Sequence, residues 1–78
     1  MNVIVYSTPT CPYCVQLKEW LKKHQIDFRD FDVSADREKA EEMIKKSGQM
    51  GVPVIEIDDE LIVGFDREQI AKVLNINE

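Results

Sequence analysis

Val3-Ile4-Val5-Tyr6 and, five residues further on, Cys11-Pro12-Tyr13-Cys14 decide how this chain is read. The first stretch is an unbroken apolar run rich in β-branched residues, the pattern of a strand covered on both faces. The second opens a segment from Tyr13 to about His24 with helical periodicity, its apolar residues recurring at spacings of three and four. Between them Ser7-Thr8-Pro9-Thr10 is a turn cluster, which sets the cysteines at the carboxyl end of the strand. A strand that delivers Cys-x-x-Cys to the first turn of a helix is a redox arrangement. The thiolate is the form that attacks a disulfide, and a helix N-terminus supplies unpaired N–H groups and partial positive charge to hold it. Cys11 is therefore the candidate nucleophile. Cys14, one turn inside, is close enough to form a bridge with it and is the candidate resolving thiol. Pro12 suits the first helical position, where its missing N–H has no intrahelical partner to lose.

Composition excludes several alternatives. The 78 residues make one small domain, residues 1–78, of which 44% are hydrophobic and 32% charged, a globular balance. A net charge of −5 argues against nucleic acid or an anionic membrane as the main partner. No charged leader followed by a long apolar run is present, and a membrane span would need roughly 18 consecutive apolar residues. These features predict a monomeric protein of a reducing, cytoplasmic compartment. With only two cysteines, three residues apart, a bridge would constrain very little chain, so its purpose is chemistry. A closed zinc site needs four ligands, and the chain offers only Cys11, Cys14 and His24 of the nitrogen or sulfur kind. No metal or bound cofactor is expected.

The remaining elements follow in order. Residues 2–7 form the first strand. The first helix should bury Tyr13, Cys14, Leu17, Trp20 and Leu21, leaving Gln16, Glu19, Lys22 and Lys23 in water. Ile26 to Val33 reads as a second strand with Ile26, Phe28 and Phe31 facing inward. Ser34 is the expected cap of a second helix, with Asp36 in its first turn, Ala40, Met43 and Ile44 on its inner face, and Gly48 just past its end. Val54–Ile57 and Glu60–Val63 read as an antiparallel hairpin turning at Asp58-Asp59. Asp66 with Gln69 gives the start signal of a last helix, and Phe65 and Ile70 stand at the positions of a hydrophobic staple. Ile70, Val73 and Leu74 supply its buried stripe. The order is β-α-β-α-β-β-α, and the first crossover should be right-handed with parallel strands.

Cys11-Pro12-Tyr13-Cys14 after a first strand, Val52-Pro53 before a third, and Gly64-Phe65-Asp66 before a last helix resemble glutaredoxin over nearly the whole chain. The resemblance implies an α/β thioredoxin fold, a four-stranded mixed sheet with three helices, and a cis Val52–Pro53 bond facing Cys11. It implies a small thiol–disulfide oxidoreductase acting on protein disulfides and glutathione mixed disulfides, with glutathione as co-substrate. The binding groove would use Pro12 and Tyr13 beside the cysteines, Val52 and Pro53 against an extended peptide, and the helix start at Gly64, Phe65 and Asp66 for a carboxylate. Arg37 is a weaker candidate for a second carboxylate. The chain departs from the common pattern at Thr8, where many members carry lysine, at Gly51 for threonine, at Val63 for glycine, and at Arg67 for an acidic residue. Gly64-Phe65 is also similar to the glutaredoxin-like redoxins that serve ribonucleotide reductase and are recharged by thioredoxin reductase. A different class of reading, a dimeric iron–sulfur carrier with Cys11 as ligand, is opposed by Pro12 and Tyr13, where cluster carriers of the family more often have smaller residues.

Overall fold

The computed structural model describes residues 2–76. Four strands and three helices alternate as β1 (Val3–Ser7), α1 (Pro12–Lys23), β2 (Arg29–Asp32), α2 (Arg37–Ser47), β3 (Val54–Ile57), β4 (Glu60–Val63) and α3 (Arg67–Leu74). The sheet runs β2-β1-β3-β4, with β1 parallel to β2 and antiparallel to β3, and β3 antiparallel to β4. This is the mixed sheet of the thioredoxin fold.

Each element has a local cause. In β1 the buried residues Val3 and Val5 point to one face and Tyr6 to the other, so both sides of the strand are covered. Helix α2 ends where Gly48 takes φ +72 and donates its N–H back to the Ile44 carbonyl at 2.8 Å, a left-handed cap that glycine enters without Cβ strain. Helix α3 begins as its residues require: the Asp66 side chain accepts the Gln69 N–H at 3.3 Å. Phe65 packs on the same core as Ile70, as a staple does.

The larger core lies between the sheet and helices α1 and α3. It is built from Val3, Val5, Leu17, Trp20, Leu21, Ile55, Ile57, Ile62, Ile70, Ala71 and Leu74, flanked by Ile26, Phe28 and Phe65. On the opposite face, under α2, a smaller cluster buries Tyr6, Met43 and Val54 completely or nearly so.

Five expectations need correction. Tyr13 is 63% exposed: it shares a helical face with the buried Trp20, seven residues on, but stands in the first turn, at the open end of the sheet. Ser34 does not cap α2. Its N–H and hydroxyl both bond to Asp32 Oδ1, at 2.9 and 2.5 Å, and Asp36 takes the cap by accepting the Lys39 N–H at 3.2 Å. Strand β2 is shorter than expected, so Ile26 and Phe28 reach the core from the loop before it. Phe31 belongs to the α2 face, beside Tyr6, since its offset of three from Phe28 puts it across the sheet. Ile44 sits at the surface, leaving Met43 as the buried anchor of α2.

Candidate active site

The sheet register gathers the site. Tyr6 is opposite Val54, and Val54 is opposite Val63. The loop leaving β1, the loop entering β3 and the loop leaving β4 therefore meet at one end of the sheet. They carry Cys11, Val52–Pro53 and Gly64 respectively. A direct bond ties the second and third loops, the Gly64 N–H donating to the Pro53 carbonyl at 2.8 Å. Gly64 has φ +85, a left-handed conformation that favours glycine here. The Val52–Pro53 bond is cis, as the resemblance implied.

Cys11 is the N-cap of α1. Its sulfur accepts the Cys14 N–H at 3.2 Å, and its carbonyl accepts the Val15 N–H at 3.2 Å, the first bond of the helix. Pro12 occupies the first helical position beside it. The sulfur thus lies at the positive end of the helix with a backbone donor aimed at it. On its other side the Cys11 thiol faces the Val52 carbonyl at 3.8 Å. Both cysteines are free thiols.

Cys14 is a different chemical object. It is 0% exposed, and burial pushes its thiol up to about 11, helped by hydrogen bonding to Cys11 and by the neighbouring Cys11 charge. The Thr8 backbone and the Lys18 ammonium pull in the opposite direction. At neutral pH Cys14 is a protonated, protected thiol behind a half-buried Cys11.

The other expected site residues fall into place with different degrees of engagement. Tyr13 projects into solvent beside the cysteines. Val52 is half-buried and Pro53 buried at the mouth of β3. Phe65 leans edge-on against Trp20, with centroids 6.1 Å apart and planes at 64°, so much of its ring is committed to the core. The Asp66 carboxylate is committed to its cap. Arg37 does not join the site. Its side chain is 94% exposed and lies near Glu41 at 3.9 Å on its own helix.

Two features were not read from the sequence. Behind Cys14, the buried Ser7 hydroxyl donates to Asp30 Oδ1 at 2.6 Å, while Lys18 Nζ donates to Asp30 Oδ2 at 2.9 Å and to Ser7 Oγ at 3.4 Å. The available signal was Lys18 four residues after Cys14, on the same side of the helix. In the loop before Val52, Gln49 clamps its own backbone: its Oε1 accepts the Gly51 N–H at 2.5 Å and its Nε2 donates to the Gly51 carbonyl at 3.0 Å. A Cβ at Gly51 would stand 2.7 Å from that oxygen, so a side chain there would displace the Gln49 amide from this clamp. Among the described residues no group of three or more His, Cys, Asp or Glu side chains is placed to hold a metal ion. None of their helices is long and apolar enough to cross a membrane.

Comparison with known proteins agrees with this geometry. The glutaredoxin family model matches residues 3–62. A glutaredoxin-like 8.6 kDa protein of the rubredoxin operon of Clostridium pasteurianum is 51% identical, over 90% of this chain and 93% of its own. Glutaredoxin 3 of Escherichia coli is 42% identical over 83% of this chain and 78% of its own. The glutaredoxin-like protein NrdH of Lactococcus lactis is 35% identical over 91% and 97%. A crystal structure of a mutant thioredoxin-like protein superposes with a TM-score of 0.93 at 33% identity, covering 97% of both chains. With the family model spanning most of its length, and with a Cys-x-x-Cys helix cap set against a cis-proline loop, this chain belongs to the glutaredoxin family.

Proposed function

We propose that the protein reduces disulfides of proteins and glutathione mixed disulfides by a two-cysteine cycle. The observation that carries this reading is the pairing of a half-buried Cys11 at a helix N-cap with a fully buried Cys14 one turn behind it. The Cys11 thiolate attacks one sulfur of the substrate disulfide. The S–S bond breaks, one substrate thiolate leaves and takes up a proton, and a mixed disulfide with Cys11 remains. Cys14 then loses its proton and attacks Cys11 Sγ, closing the Cys11–Cys14 bridge and releasing the second substrate thiol. Two electrons have passed to the substrate. Two glutathione molecules return them by the reverse exchange, leaving glutathione disulfide.

The Val52 backbone offers an edge to which an extended substrate peptide adds like a strand, and Pro12, Tyr13 and Pro53 form the walls beside the sulfur. Gly64, Phe65 and Asp66 bring the N-terminus of α3 to the same end of the sheet, where its amide groups suit a carboxylate of glutathione. Two free thiols working by exchange suit a reducing cytoplasm and a monomer.

A second reading is recharge by thioredoxin reductase. It is supported by the near-complete mutual coverage with the NrdH relative and with the thioredoxin-like structure. Thr8 and Arg67, which remove a cation and an anion from the expected glutathione groove, point the same way, each by about 0.2–1 kcal/mol for a partly exposed contact. NADPH oxidation separates the two. Oxidised protein given glutathione and glutathione reductase should turn over if the first reading holds, and given thioredoxin reductase alone if the second does. Absence of turnover in both would overturn the exchange cycle itself. Within the cycle, Cys14→Ser should stop reduction of protein disulfides while sparing removal of glutathione from a mixed disulfide.

A further inference from the structure

The resolving step has a difficulty that the first step lacks. Cys14 is fully buried and protonated, yet it must become an anion to attack. The network behind it addresses that need. Lys18 lies one helical turn beyond Cys14, on the same side of α1. Its side chain is 23% exposed, and its ammonium is held by two partners from two strands, Asp30 of β2 and Ser7 of β1. Ser7 is 1% exposed, and its hydroxyl ties the carboxylate at 2.6 Å. A lysine in a helix facing water would normally be free to rotate, at a cost of side-chain entropy to hold it. Here two polar groups distant in sequence hold one cation in place at the sheet end.

We propose that Lys18, held by Asp30 and Ser7, is a positioning residue for the second half of the cycle: its fixed positive charge stabilises the Cys14 thiolate as it attacks the Cys11 mixed disulfide. The proposal rests on the exchange reading above. The groups that act on Cys14 are Cys11 at the cap, the Thr8 backbone and Lys18 on its own helix. Asp30 and Asp32 of β2 face Lys18 and offset part of its field. The buried residues of β3 and α3, among them Val54, Ile55, Ile57, Ile70 and Leu74, carry no charge. Lys18 is thus a fixed cation that acts on this sulfur, and the low dielectric around a buried thiol lengthens its reach. The electron and proton balance is unchanged: the Cys14 proton passes to solvent or to the departing substrate thiolate.

The test separates the two halves of the cycle in one experiment. Reduced protein is mixed rapidly with a chromogenic nitrobenzoate disulfide. Attack by Cys11 releases the first coloured thiolate, and attack by Cys14 on the resulting mixed disulfide releases the second. Each unit of rise in the Cys14 pKa cuts its thiolate about tenfold while raising intrinsic nucleophilicity about threefold, so Lys18→Met should slow the second phase relative to the first at neutral pH, by about threefold per unit. Its pH profile should move to higher pH, and Lys18→Arg, which keeps the charge, should restore the parent profile. In a Cys11→Ser background, where Cys14 is the only cysteine, ultraviolet thiolate absorbance should show the same upward movement with Lys18→Met. An unmoved second-phase profile in Lys18→Met would overturn the proposal. So would Lys18→Arg matching Lys18→Met, since packing rather than charge would then be responsible. A parent protein that shows no second release would overturn the exchange reading and the proposal with it, and is told apart because no variant is needed to see it.

Discussion

The two sulfurs of this protein sit on one turn of one helix and inhabit opposite environments. Cys11, at the cap, receives the Cys14 N–H at 3.2 Å and faces the Val52 carbonyl across an open mouth. Cys14 is sealed under the helix, its thiol pushed up to about 11 by burial first and by Cys11 second. The same backbone thus makes one cysteine fit to attack and keeps the other from attacking first. A helix start provides charge stabilisation only at its tip. One turn inward, desolvation wins.

That asymmetry can be broken at either end. The largest effect is expected from Cys11→Ser, which removes the sulfur that touches substrate. Disulfide reduction should fall by about a thousandfold or more, since Cys14 has neither exposure nor ionisation to substitute for it. An assay in which Cys11→Ser retained substantial turnover would reverse the roles. The next effect is on stability. The folded state holds the Cys14 proton to about 11, above the ordinary 9.0, so this contribution is fully present below about pH 9 and is lost as pH rises toward 11. Reduced protein should lose about 2–3 kcal/mol of stability through that window beyond the loss seen in Cys14→Ala, which lacks the group. Denaturant midpoints of the two at neutral and alkaline pH check the sign. Equal losses would show that the burial of Cys14 does not govern its titration. The smallest effect concerns the far side of the mouth. Asp66→Ala should cost about 1 kcal/mol by leaving the Gln69 N–H without its cap, with little change in Cys11 reactivity. A thermal melt and a thiol-reactivity measurement read the two together.

The parts of this arrangement differ in how visible they are from residues alone. Strands β3 and β4 and the start of α3 coincide with their sequence signals, because alternation, an Asp-Asp turn and an aspartate cap are local features. The cysteine motif was legible for the same reason, its chemistry residing in four adjacent residues. Misreadings arose where two local signals competed. Ser34 has cap chemistry, but Asp32 takes it up in a turn, and Asp36 caps instead. Tyr13 has the spacing of a buried residue but stands in the first turn, at the open end of the sheet. Of the Ser7–Lys18–Asp30 network the sequence offers only the spacing of Lys18 from Cys14, because its members are 11 or more positions apart and meet through the parallel pairing of β1 and β2 and the packing of α1 on them. Gln49 and Gly51, two residues apart, gave no signal, since their bond depends on a loop conformation that composition does not encode.

The most direct test of the two-environment account is alkylation of the reduced protein at neutral pH with a small haloacetamide, followed by peptide mass analysis at partial modification. The account predicts the label on Cys11 alone, with Cys14 modified only after unfolding. Label on Cys14 at a comparable rate in the folded protein would contradict it.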